Sequence, residues 1–248
     1  MDGPEPLSHL IEQFGPMDSL SHAAVLALQL ILAGDRDVMS AVTTSLAVSL
    51  PAALVACAVG APLGTWLAMQ AFPARRALLI GLNGLLGLPP VVVGLAVYLV
   101  FSRAGPLGAW GLLFTPKAMI VCQVLLCLPI AVALSHRATE AAWRDYGDAM
   151  RIDGAGSLLS IGFLLRMESA ALVTVFLAAF GRAIAEVGAI MIAGGNIRDY
   201  TRTLTTAIVL ETSKGDIARA LALGLILVAL TLLVSALAFA LQERAAAR

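Results

Sequence analysis

Apolar runs at residues 42–69, 78–101, 118–135, 169–192 and 217–241 decide the solvent of this chain before any other feature does. At a rise of about 1.5 Å per residue, each is long enough as a helix to approach or cross a hydrocarbon layer of about 30 Å. Inside such a layer every backbone N–H and C=O must be bonded within the protein, and runs of this length meet that demand as helices. The expected fold class is therefore all-α: a polytopic membrane bundle of five or six spans in one domain. A sixth span depends on residues 20–33, an apolar stretch that reaches only roughly 21 Å as a helix. It reads as a helix lying on the membrane surface or against the bundle, with a strongly tilted crossing left open. Residues 1–41 then make a polar tail and an interfacial helix, 42–242 the membrane domain, and 243–248 a solvated tail. The first residues are polar and acidic where a cleavable signal would need a basic start.

Hydrophobic residues make up 60% of the chain and charged residues 13%, with a mean hydropathy of +0.92, far from a soluble domain. Formal net charge is zero, so no overall field points to nucleic acid. Cys57, Cys122 and Cys127 all sit in apolar runs, as small buried hydrophobes do. His9, His22 and His136 are dispersed, and no metal-ligand spacing or Ser, His and Asp set stands within a span. No GxxxxGK[ST] loop occurs either. Neither catalysis, a metal nor a cofactor is expected on this chain, and any nucleotide must bind on a partner.

The one long polar interval, residues 136–168, carries Arg137, Glu140, Arg144, Asp145, Asp148, Arg151, Asp153, Arg166 and Glu168. It must lie in water or against another protein. Its first half reads as a helix, with Ala141, Ala142, Tyr146, Ala149, Met150 and Ile152 at three- and four-residue steps. Gly154, Ala155, Gly156 and Ser157 break that helix before Leu158, Leu159 and Ile161 begin another. The product is a compact knob between the third and fourth spans.

Other interruptions fall inside the runs. Pro51, Gly60, Pro62 and Gly64 punctuate the first span, and Pro89 with Pro90 implies a broken second span, either a packing kink or a wall of a water-filled path. In the fourth, Arg182 and Glu186 lie four residues apart on one face, as a structural ion pair or as part of a gate or pathway with Gly188. Gly194, Gly195 and Asn196 form a flexible turn. Residues 201–211, with Thr203 and Thr205, read as a short re-entrant or interfacial helix. Charge fixes orientation poorly: with the knob inside, eight basic residues there face seven outside.

The knob brings a resemblance into view. Asp148, Ala149, Met150 and Gly154 stand in the spacing of the Glu-Ala-Ala, three residues, Gly loop with which ABC importer permeases engage their ATPase, and Ala155 follows as it often does in that family. Asp replaces Glu, Met replaces the second Ala, and Arg166 and Met167 stand near the place of the usual Leu-Pro. Glu140, Ala141 and Ala142 spell the same letters, but Gly147 comes one residue too late. The stretch 180–206 resembles the oxyanion permeases for molybdate and tungstate. Arg182, Glu186, Gly188 and Ala189 occupy one span, then Gly195 and Asn196, then Thr203, Leu204 and Thr205. The Gly-Leu-Pro-Pro-Val-Val-Val-Gly of residues 87–94, the Leu-Phe-Thr-Pro of 113–116 and residues 208–216 are similar to the tungstate branch. This resemblance implies an ABC type I importer permease: a homodimer in a cytoplasmic membrane, served by two cytoplasmic ATPase subunits and an extracytoplasmic anion-binding protein, with 136–168 as the cytoplasmic coupling loop. It implies alternating access for tungstate or molybdate. Another anion such as sulfate, a small organic solute, and an ion-gradient-driven secondary transporter using Arg182 and Glu186 as a relay are the competing expectations.

Overall fold

The computed structural model describes residues 16–246. Residues 1–15 of the expected polar tail and the last two of the expected C-terminal tail lie outside them. Among the described residues the chain forms ten α-helices: α1 (Pro16–Leu32), α2 (Arg36–Met69), α3 (Arg75–Leu85), α4 (Pro90–Phe101), α5 (Pro116–Ile152), α6 (Ser157–Met167), α7 (Ser169–Ile184), α8 (Gly188–Gly194), α9 (Leu204–Ser213) and α10 (Ile217–Ala246). A single 3₁₀ turn, Gly108–Trp110, interrupts the connection before α5. Helices α2, α5 and α10 are each long and apolar enough to cross a bilayer, and the bent pairs α3–α4 and α6–α7 bring the crossings to five if each pair counts as one.

The centre is a parallel seam between α2 and α5. The Asp35 carboxylate accepts from Val38 N–H at 3.0 Å to start α2, and Thr115 with Pro116 starts α5. The two helices then descend in register. Val48 clusters with Met119, Ser49 meets Gln123, Gly60 faces Ala131, and Met69 clusters with Ala142. Close approach depends on missing side chains: a Cβ on Gly60 would lie 2.6 Å from Ala131 Cβ, and one on Gly64 would press on Val132 O and His136 N. Pro51 and Pro62 leave α2 continuous.

The proline pair does break the second run. Pro89 is extended and Pro90 opens α4, because the pyrrolidine ring disfavours helical backbone at the residue before it and removes the helix bond at its own nitrogen, and here the two prolines act in succession. α3 and α4 meet at 96°. Arg75, near the start of α3, reaches His136 and Glu140, while Asn83 near its end accepts from Arg137. Both ends touch the same turn of α5, so α3 lies across α5 rather than along it.

Two expectations about continuity are corrected. The third span and the first half of the knob are one helix of 37 residues, since nothing between Pro129 and Gly147 breaks the pattern where the surroundings change from apolar to polar. The fourth run is not one helix to residue 192: it stops at Ile184 and resumes at Gly188. α1 packs on α10 and α2 around Ala27, Val38, Ala41, Leu204, Ala222, Leu223 and Ile226, against the bundle.

Gly64→Leu should force α2 and α5 apart and cost about 1–3 kcal/mol, the usual range for overpacking. The check is a lower thermal midpoint in detergent, with Gly81→Ala, where an added Cβ meets nothing within 4 Å, left near the wild type.

Candidate functional site

The interruption at Ala185–Val187 puts backbone polar groups in a water-poor setting, and neighbouring elements answer them. Glu186, 3% exposed in its side chain, bonds Arg182 with one carboxylate oxygen. With the other it accepts from Ala189 N–H at 3.0 Å, thereby capping α8. Gln123 Nε2 of α5 donates to Ala183 O at 2.9 Å, and Cys127 Sγ–H to Ala179 O at 3.2 Å. Thr205 Oγ1 of α9 donates to Glu186 O at 2.9 Å. At the far end of α8, Phe114 N–H donates to Ala193 O and Thr201 Oγ1 to Gly194 O. Arg182 and Glu186 are thus brought together as the sequence spacing requires. Glu186 also does something the spacing did not reveal, since it caps a helix that the apolar pattern had merged with α7.

Gly188 sits where α8 meets α4: a Cβ there would lie 2.9 Å from Val91 Cγ2, and Gly94 of α4 has Ala189 Cα 2.8 Å from its own absent Cβ. The break after Pro89 and Pro90 and the break at 185–187 therefore lie against each other. Thr203 and Thr205 are buried at the start of α9. Thr203 caps α9 in a reciprocal bond with Thr206, and Leu204 N–H donates to Ser45 Oγ of α2 at 2.8 Å.

The expected flexible turn is held firmly. Gly195 and Asn196 take left-handed backbone (φ 72° and 50°), and Asn196 Oδ1 accepts from Arg202. Arg198 donates two bonds to Asp37, at 2.9 and 3.0 Å, and Arg219 stands 3.8 Å from Asp35. The first pair joins positions 161 residues apart along the chain and the second is farther apart still, distances at which no local pattern carries the signal.

The knob is rigid in a different way. α5 ends at Asp153, and Gly154 (φ 75°) lets Ala155 N–H reach back to Met150 O at 2.9 Å while Gly154 N–H bonds Arg151 O, a Schellman closure that suits glycine. Gly147 lies inside α5 against Trp143, so Gly154 makes the turn. Gly156 leads into α6, which is fixed to the membrane domain by Leu164, buried with Met69 and Ala142. Asp148, exposed, pairs with Arg151, whose guanidinium lies 5.0 Å from the Trp143 ring centre. Ala149 and Met150 lie in the last turns of α5, and Met150 packs against the cluster of Met69, Ala142 and Leu164. At the tip Ile152 and Leu158 are 85% and 87% exposed, with Leu159 and Phe163 beside them. These apolar side chains, in an otherwise charged segment, are left uncovered by the protein's own fold. The sequence contains Ile152, Leu158 and Leu159, but only the turn at Gly154 shows that they share one tip.

At the base of the knob, Arg75 Nη2 lies 2.9 Å from His136 Nε2 and 3.1 Å from Glu140 Oε1, with Nε donating to Leu67 O. A guanidinium only donates, so His136 accepts as a neutral imidazole. Burial, with Arg75 and Arg137 nearby, pushes the His136 pKa down against the opposing pull of Glu140, and the bond from Arg75 holds Glu140 below its ordinary range.

Two broken spans in contact, a parallel seam of long helices, and a water-exposed knob rigidly joined to one of them define a multi-pass helical permease. A family described as "Binding-protein-dependent transport system inner membrane component" matches residues 60–247. The "Probable anion ABC transporter permease protein" of Haloferax volcanii is 41% identical over 215 residues, 85% of this chain and 93% of that protein. The "Tungstate uptake system permease protein TupB" of Peptoclostridium acidaminophilum is 37% identical over 227 residues, 92% of this chain and 100% of its own. The "Molybdenum transport system permease protein ModB" of Mycobacterium tuberculosis is 30% identical over 202 residues, 75% of each chain. This chain belongs to the binding-protein-dependent transport system inner membrane component family. It has the ABC type I permease fold, lies in a cell membrane, performs no catalysis itself, and works with a separate ATPase and a substrate-binding protein.

Glu186→Ala removes the cap of α8 and strands Arg182, with an expected loss on the order of 2 kcal/mol, below the full buried-pair value because Arg182 is 29% exposed. A thermal midpoint in detergent equal to wild type would show the pair to be dispensable. For the knob base, a depressed His136 pKa means the unfolded chain binds more protons there, so stability should fall as pH drops below about 6.5. Glu140, also depressed, contributes above its ordinary range and is lost in a second window at lower pH, below about 4.3. His136→Gln should flatten the upper window alone in a pH series of thermal midpoints.

Proposed function

We propose that this chain is the permease of an ATP-driven importer of tungstate or molybdate, acting as a homodimer with two cytoplasmic ATPase subunits and an extracytoplasmic anion-binding protein. The observation that carries the mechanism is the unbroken α5, which joins the apolar tip of the knob to the outer end of the membrane domain. The segment Asp148, Ala149, Met150, Gly154, Ala155 and Gly156 is read as the coupling loop seated in the ATPase, with its tip at Ile152 and Leu158. ATP-driven closure of the ATPase pair would move that loop, and α5 with α2 would turn as a rigid unit about the dimer axis. The breaks at Pro89–Pro90 and Arg182–Glu186–Gly188 are read as the pathway and its gate. Gly195 and Asn196 are read as part of the outer turn that meets the binding protein, with the buried Gly194, Thr203 and Thr205 holding that turn from behind. The relatives named for tungstate and molybdenum, at 37% and 30% identity, support the choice of anion.

The test is uptake of tungstate into proteoliposomes holding the permease, its ATPase and its binding protein, with molybdate and sulfate as competitors. ATP-dependent, vanadate-sensitive uptake is expected, with molybdate competing and sulfate failing to. Uptake that survives without ATP and collapses with an ion gradient overturns the proposal. Gly154→Val forces a β-branched residue into left-handed backbone. ATP hydrolysis should persist in that variant while uptake falls to background, and normal uptake would move the coupling loop elsewhere.

A further inference from the structure

Where α3 crosses α2 and α5, on the same side of the membrane domain as the knob, two cavities meet. One, of about 270 Å³, is a groove whose walls are apolar throughout, formed by Trp66 and Leu67 of α2, Leu78, Leu82 and Leu85 of α3, and Pro129 of α5 among others. The other, of about 640 Å³, is an open cleft around the α2–α3 turn, lined by Gln70, Phe72, Arg75 and Arg76 among others. The rings of Trp66 and Phe72, one from each cavity, lie 6.5 Å apart between centroids, so the two share a border.

The charges at the mouth do not cancel. Arg75 is spent on Glu140, His136 and Leu67 O. Arg76 is exposed and makes no ion pair or hydrogen bond with any described residue. Arg76 thus remains an unpaired positive charge at the mouth, beside a groove that offers an aqueous ion no polar partner.

A molecule complementary to both halves has a negative head and a hydrocarbon chain. Since the groove lies against membrane-spanning helices, the solvent at its edge is acyl chain. We propose that this groove holds one anionic phospholipid from the leaflet nearest the knob, with its phosphodiester at Arg76 and an acyl chain between α3, α2 and α5. Net charge decides the choice: the phosphate of a zwitterionic lipid carries its own ammonium, whereas phosphatidylglycerol brings an uncompensated negative charge to Arg76. Occupied, the site fills the angle under α3, a helix among whose residues none is buried by the protein itself. A lipid there would hold α3 in its transverse position and support the broken second span from below.

The experiment uses the full chain in detergent–lipid mixtures, with Trp110→Phe and Trp143→Phe so that Trp66 is the one reporter left. Chain-dibrominated phosphatidylglycerol and the same brominated phosphatidylcholine are titrated separately as fluorescence quenchers. Phosphatidylglycerol should quench at a roughly fivefold lower mole fraction, the preference that one basic residue near a membrane surface supplies. Arg76→Gln should abolish the preference and Arg76→Lys should keep it. Aqueous glycerol phosphate should not compete.

Equal quenching by the two lipids, an unchanged preference in Arg76→Gln, or full competition by glycerol phosphate overturns the proposal. So does quenching by neither lipid together with Leu82→Cys cross-linking between two copies, which assigns the groove to a subunit interface. Native mass spectrometry of the unaltered chain is a second measure. A retained phosphatidylglycerol that is lost in Arg76→Gln supports the site, and retention by both or by neither counts against it. The readout is binding alone, so it stands or falls separately from the transport reading.

Discussion

Inside hydrocarbon a backbone carbonyl or amide without a partner costs several kcal/mol. The gap between α7 and α8 exists only because other elements supply the missing bonds. Glu186 caps the new helix, Gln123 and Cys127 of α5 donate to carbonyls near the end of the old one, and Thr205 of α9 donates to Glu186 O. The break is therefore a shared property of three elements. Cutting any one donor loosens the same few residues, and α8 cannot shift without carrying α9 and its Ser45 contact on α2.

That coupling meets a second one along α2 and α5. Glycines bring the two backbones into near contact at Gly60 and Gly64, and α5 continues past the seam into the knob without a joint. A force on Ile152, in the last turn of α5, thus travels along one continuous helix to Gln123, which holds the broken span. Packed interiors deform poorly, so such a force is passed on as a rotation or absorbed at the breaks. The proline break at α3–α4 and the capped break at α7–α8 face each other across Gly94 and Gly188. They are the two discontinuities in the frame, and they are packed tightly on each other.

The parts of this arrangement that the sequence revealed are those governed by local chemistry. Pro89 with Pro90 announces its break because the ring excludes a helix bond, and Gly154 announces the knob's turn because the φ there suits glycine. The break at 185–187 was hidden, since Ala185, Glu186 and Val187 contain no breaker and the donors that stabilise the gap come from other helices. Continuity of α5 was hidden for the converse reason: a change from apolar to charged residues marks a change of solvent, not the end of a helix. The outer turn looked loose because Gly194, Gly195 and Asn196 are loop formers. Asp37 and Asp35, far away in sequence, hold Arg198 and Arg219 beside it.

Electrostatics of the broken span bears on how an anion could pass. Arg182 is the cation of the fourth run, and the structure neutralises it: Glu186 takes its charge and then uses its second oxygen on Ala189 N–H. A dianion near this point meets a paired cation and a set of hydroxyls and amides already bonded to the backbone, not a trap. Weak binding along the path suits conduction, because a deep well at mid-membrane would hold the ion that must leave. On the proposed reading, selectivity for a tetrahedral dianion would then belong to the partner that delivers it. The span's own polar residues are spent on keeping a broken helix bonded.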